Sequence, residues 1–98
     1  MDFEWDEAKR QANILKHGID FVDAIRIFEG RFTENEDQRR NYGERRYRAF
    51  GVIEDEILHV VYTWRGDRRR IITARRARRN ERRAYYAGIA EAGPQNEG

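Results

Sequence analysis

The chain has 98 residues, 39% hydrophobic and 12% aromatic, which makes one domain with a modest core and excludes a second. Zero cysteines and only two histidines remove disulfides, thiolate zinc and thiol redox chemistry, so no metal or other cofactor is expected. No apolar run reaches the length of a signal core or a membrane span, which predicts a soluble cytoplasmic protein with no membrane partner.

Phe3-Glu4-Trp5 is a short β-prone opening. Asp6 is a good N-cap for a helix reaching His17, with Ala8, Ala12 and Leu15 as its apolar side and Gly18 as its C′ residue. At about 100° per residue Lys9, Asn13 and Lys16 form a stripe with His17 beside it, which gathers amide, ammonium and imidazole groups on one side. Asp20 caps a second helix, Phe21 to about Phe28, whose Phe21, Ala24, Ile25 and Phe28 point inward. Arg31 to Thr33 reads as a first strand and residues 34–44 as a flexible polar loop.

From Arg45 to Ile53 the pattern alternates, with Tyr47, Ala49, Gly51 and Ile53 on one face and Arg46, Arg48, Phe50 and Val52 on the other. After the charged turn Glu54-Asp55-Glu56, strands Ile57 to Arg65 and Arg69 to Arg75 flank a Gly66-Asp67 turn and complete an antiparallel meander of three or four strands. A last helix runs from Arg78 to about Ala90, with Ala77, Glu81, Ala84, Tyr85 and Ile89 on its contact side. The domain is thus 1–90, and residues 91–98, with the one proline, form a flexible tail. Trp5, Phe21, Phe28, Tyr47 and Phe50 are assigned to the core.

Charge is more informative than its total of +2. Residues 1–38 carry five bases and ten acids, whereas residues 39–83 carry fifteen bases and six acids. Within Val60 to Arg83 ten arginines face two acids, Asp67 and Glu81. The planar guanidinium fork grips phosphate bidentately, so phosphate is the first ligand to suspect. That attraction serves a non-catalytic RNA- or DNA-binding module as well as an enzyme. A third reading is a chain that only holds another protein.

Several motifs fall in one order: W-D-x-x-K-x-x-x-N-x-x-K-H-G from Trp5 to Gly18, F-x-x-A-x-x-x-F from Phe21 to Phe28, Glu44-Arg45 before a strand containing Gly51, V-V-Y-T-x-R from Val60 to Arg65, and R-I-I-[ST]-A-R-x-A-x-x-x-E-R-x-x-Y from Arg70 to Tyr85. Over residues 3–86 the sequence resembles the BrnT toxins, departing at Trp64 and at Thr73 in place of the commoner serine. The resemblance implies an α+β, RelE-like small domain: N-terminal helices packed on an antiparallel sheet of about four strands, and a C-terminal helix. It also implies a toxin that cleaves RNA and inhibits translation. A BrnA-type antitoxin would neutralise it in a heterotetramer of two toxins and two antitoxins, with operator DNA contacted only through the antitoxin.

Metal-independent RNA cleavage needs a base for the 2′-hydroxyl proton, positive charge against the developing pentavalent phosphate, and an acid for the 5′-oxygen. His17 suits the role of base or acid. Glu44 is the alternative base, and Lys16 a charged stabiliser or proton donor. Arg65 and Arg75, which end adjacent strands, are expected to converge on one phosphate; of Arg75 and Arg76 only one can reach a given face. Lys9, Arg70, Arg76, Arg79 and Arg82 are candidates for RNA binding, and Tyr62 and Tyr85 for stacking on a base or donating a proton. Plainer readings stand beside these: Lys16-His17-Gly18 as a dipole-matched C-cap, Glu44 as a loop residue, and Glu81-Arg82 as a surface ion pair.

Overall fold

The structure, a computed structural model, describes residues 2–96, with side chains through residue 89. Five strands form one sheet in the order β1-β5-β4-β3-β2: β1 (Phe3–Trp5), β2 (Phe32–Glu36), β3 (Tyr47–Ile53), β4 (Glu56–Arg65) and β5 (Arg68–Arg76). The expected antiparallel sheet of about four strands is therefore corrected to a mixed sheet of five. β1 lies parallel to β5, pairing Phe3 with Arg69 and Trp5 with Ile71, while the other neighbours are antiparallel. A parallel partner needs a long crossover, which the two N-terminal helices and the β2–β4 meander supply.

Helix α1 (Glu7–His17) begins where the Asp6 carboxylate accepts from the Lys9 N–H at 3.1 Å, and it ends where Gly18, at φ 70°, donates to the Ile14 carbonyl. Its inward side is not the expected Ala8-Ala12-Leu15 stripe: Ala8 and Ala12 are exposed, and Leu15 is 88% exposed. Arg10, Asn13, Ile14 and His17 turn inward instead. The reason is polar satisfaction. The Asn13 amide donates to the Ile19 and Ala74 carbonyls, each at 2.8 Å, and accepts from the Ala74 N–H at 3.1 Å. Buried backbone groups left without such partners cost about 1–3 kcal/mol each, more than one alanine–leucine stripe recovers. Arg10 adds a forked pair to the Asp20 carboxylate at 2.8 and 2.9 Å.

Asp20 caps α2 (Phe21–Ala24), which tightens into a three-ten turn over Ile25–Glu29. Phe21, Ala24 and Ile27 pack with Ile19 on Ala49, Leu58, Val60, Tyr62, Ile71 and Ala74 to make the main core on one sheet face. Gly51 permits this contact: a Cβ there would stand 2.7 Å from the Ile27 Cβ. On the opposite face α3 (Arg79–Asn96) lies over a smaller core of Ile57, Ala77 and Tyr85, with Phe50 and Ile89 packed against it. α3 continues past its expected end near Ala90, and the flexible-tail expectation concerns side chains outside the described residues.

Residues 34–44, expected as one loose loop, divide in two. Glu34 to Glu36 complete β2, and the segment after them is tied down. Buried Asp37 accepts from the Arg39 fork at 2.7 and 2.7 Å and from the Tyr42 hydroxyl at 3.1 Å, which holds its carboxyl well below the usual range. The Thr63 hydroxyl donates to the Arg45 carbonyl at 2.7 Å, anchoring the segment to β4.

Candidate active site

Strand alternation places Arg48, Phe50, His59 and Arg75 on the face that carries α3. Register then brings them side by side, since His59 stands opposite Phe50 on β3 and opposite Arg75 on β5. The first turn of α3 adds Glu81. Four N–H donors close on its carboxylate: Arg75 Nη1 and Nη2 at 2.8 Å each, Arg48 Nη2 at 3.2 Å, and the Arg78 backbone N–H at 2.7 Å. The last of these is the reciprocal half of a helix-capping box. Hydrogen bonding from Arg75 outweighs burial and takes the Glu81 carboxyl down to about 2, so it is an anion at neutral pH.

His59 is 2% exposed. Its Nε2 accepts from Arg48 Nε at 3.0 Å, which assigns the ring proton to Nδ1, and among the described residues Nδ1 meets no acceptor. Burial first, then Arg75 and Arg48, push the imidazole down to about 3. The ring stands 4.7 Å from Phe50.

Arg75 also acts on the other histidine. His17, half-buried at the end of α1, is lowered by burial, by Lys16 and by Arg75, which favours the neutral imidazole at pH 7. Lys9, Lys16 and His17 border a shallow hollow of ≈ 170 Å³ beside Ile72 and Thr73. Lys16, His17 and Arg75 are thus gathered at one end of the sheet.

Arg65 and Glu44 are not with them. Arg65 pairs with Arg68 at the hairpin turn and Arg75 pairs with His59, which separates the two arginines by roughly 20 Å along the strands. The expected convergence fails because the ends of consecutive antiparallel strands lie at opposite edges of their hairpin. Glu44 accompanies Arg65 at 3.9 Å and Arg46 at 3.1 Å. Tyr62 is fully buried against Phe28 and Tyr47 and donates to Glu34, and its phenol is pushed up to about 12 by burial and Glu34. Tyr85 is also buried and donates to the Arg31 carbonyl at 3.0 Å. Neither tyrosine is placed to stack on an incoming base. Arg70 is paired with Glu4 at 2.8 Å and Arg76 with Glu56 at 2.5 Å, while Arg79, Arg82 and Lys9 are exposed.

Sequence reasoning misses Arg48 and His59, and it places Glu81 on the contact side of the last helix or in a surface pair with Arg82 without naming Arg75 or Arg48 as its partners. His59 sits inside the apolar run Leu58-His59-Val60-Val61, where it looks like core. Pairing the Arg45 to Ile53 strand with the next would have set it beside Phe50.

The sheet of this small α+β fold thus presents two imidazoles and two arginines at one end, with the guanidinium groups closed round the Glu81 carboxylate. The chain belongs to the BrnT toxin family: the family model described as ribonuclease toxin, BrnT, of type II toxin-antitoxin system matches residues 5–81. No curated protein matches the chain. Membership makes it a ribonuclease toxin of a type II system, a class that works with an antitoxin partner. Among the described residues no helix is long and apolar enough to cross a membrane.

Proposed function

We propose that the chain is a metal-independent endoribonuclease of the cytoplasm that cleaves RNA by 2′-hydroxyl attack, in the manner of the RelE-type enzymes, and thereby inhibits translation. A BrnA-type antitoxin neutralises it in a heterotetramer of two toxins and two antitoxins, and operator DNA is reached through the antitoxin alone. The observation that carries the catalytic reading is the convergence of Arg75, Arg48 and the Arg78 N–H on one carboxylate. Those donors suit a phosphate oxygen equally well.

In this reading the scissile phosphate exchanges with the Glu81 carboxylate at Arg75 and Arg48. His17, neutral at pH 7, takes the 2′-hydroxyl proton as the O2′–P bond forms, and the P–O5′ bond breaks with a proton supplied to O5′ from the Lys16 ammonium. The products are a 2′,3′-cyclic phosphate and a 5′-hydroxyl, so DNA is inert. His59 keeps the Arg48 fork in place and does not exchange protons. Lys9, Arg76, Arg79 and Arg82 steer the RNA backbone, and Arg65 with Glu44 lies outside the reacting groups.

The test is incubation of partner-free protein with a defined single-stranded RNA in EDTA, beside His17→Ala and Arg75→Ala. Cyclic phosphate ends that disappear in both folded variants are expected. Tight binding by the wild-type protein with no cleavage transfers the reading to a nucleic-acid-binding module.

A further inference from the structure

Between the start of α3 and the β2–β3 pair lies a cavity of ≈ 370 Å³, lined among others by Asn35, Arg48, Phe50, Asn80, Ala84 and Gly88. It exists because Ala84 and Gly88, four residues apart on one stripe of α3, project almost nothing toward the sheet. The space narrows at Gly88, where a Cβ would come to 3.3 Å from Thr33 Cγ2. Its volume falls at the lower end of small-molecule sites.

The lining is chemically mixed in a particular way. Phe50 offers part of an aromatic ring, and Asn35 and Asn80 each offer an amide with both donor and acceptor. Arg48 and Glu81 also border the cavity, and they are members of the anion clamp. A ligand occupying it is therefore a planar group with hydrogen-bonding edges, tethered to a phosphate at Arg48. RNA presents that combination at every nucleotide.

We infer that this cavity is a base-recognition subsite, which takes the nucleobase of the nucleotide next to the phosphate held by Arg48 and Arg75. The inference rests on the ribonuclease reading and adds to it the place where sequence preference is set. Phe50 stacks on the base, and the Asn35 and Asn80 amides read its edge.

The experiment has two arms, both on the intact chain. In the first, the four 3′-nucleoside monophosphates and ribose 5-phosphate are titrated while the side-chain amide signals of Asn35 and Asn80 are followed by NMR. At least one nucleotide should bind about tenfold more tightly than the base-free phosphate and shift both amides. Asn80→Ala and Ala84→Leu, at exposed positions and expected to melt like the wild type, should abolish that difference. In the second arm, RNAs differing at one base are cleaved by the same proteins, and the wild-type ratio of kcat/KM between bases should fall about tenfold in the variants while cleavage persists. Equal binding of nucleotides and ribose phosphate, or variants that keep the wild-type base ratio, overturns the inference and leaves the ribonuclease reading intact. A wild-type protein that cleaves no RNA yet binds nucleotides by their bases sinks the ribonuclease reading and retains the subsite.

Discussion

The two ends of the β4–β5 hairpin use arginine in opposite ways. At the turn, the Arg69 guanidinium is enclosed by rings, with Phe28 at 4.3 Å, Trp64 at 4.7 Å, Tyr62 at 5.1 Å and Phe32 at 5.8 Å. Its Nε is buried and among the described residues meets no acceptor, while the Glu34 carboxylate stands 3.9 Å from its Nη2. At the other end Arg48 and Arg75 are held by the Glu81 carboxylate. A phosphate cannot take the place of four aromatic faces, but it competes with a carboxylate for the same N–H groups. Arginine density therefore does not locate a site. What holds each guanidinium does.

The largest expected effect tests that contrast directly. Arg75→Ala should lower kcat/KM on RNA by about 10²- to 10³-fold, the scale of losing one preorganised charge donor, whereas Arg65→Ala at the turn should stay within about threefold. Steady-state cleavage by both folded variants decides it, and the reverse ranking would move the reacting groups to the turn.

Arg69→Ala should do the opposite, leaving activity per folded molecule unchanged and lowering stability by about 2–3 kcal/mol through lost cation–π contact and stem packing. For a domain of this size that is a fall in Tm of about 10–20 °C, read by thermal melting. His59 contributes a pH signature to the far end. Unfolded, it titrates near the usual 6.5; folded, it stays neutral down to about 3. Between those values the unfolded chain binds the extra proton, so this stability is complete above pH 6.5 and is lost progressively as pH falls. Going from pH 7.5 to 5 should cost on the order of 2 kcal/mol in denaturant melts, and His59→Gln should flatten that slope. The smallest effect belongs to Glu81→Gln. With the carboxylate charge gone, inorganic phosphate should bind the clamp about three- to tenfold more tightly by calorimetry. The stability that the lowered Glu81 carboxyl contributes above pH 4.5, and loses as pH falls toward 2, should also disappear.

What was legible in the sequence was local. Asp6, Asp20 and Gly18 mark helix ends through groups within four residues of themselves, the Gly66-Asp67 turn sits where it was read, and Tyr47, Ala49 and Gly51 share the core face as alternation requires. Illegible features depend on what lies across the fold. The inward side of α1 is chosen by Ala74, sixty-one positions away from Asn13. The parallel pairing of β1 depends likewise on β5. Of the residues gathered at that end of the sheet, charge and motif single out Lys16, His17 and Arg75. Arg48 and His59 become visible only through register, and Glu81, legible as a contact-side residue of the last helix, gains its partners only once Arg75 and Arg48 are placed beside it.

Asn13 has a further consequence for assembly. Exposed strand edges are templates on which other chains add strands, a route to both partner capture and aggregation. Past Ile71, β5 has no neighbouring strand on its outer side among the described residues, and the Asn13 amide occupies that line of backbone groups as a single residue of a sixth strand would. The opposite border of the sheet is β2, whose Glu34, Asn35 and Glu36 are exposed. The acids there repel a second copy of the same acidic strand, while leaving the border open to a basic one. Of the two edge strands, β2 thus offers the longer border for backbone pairing, five residues against the three of β1.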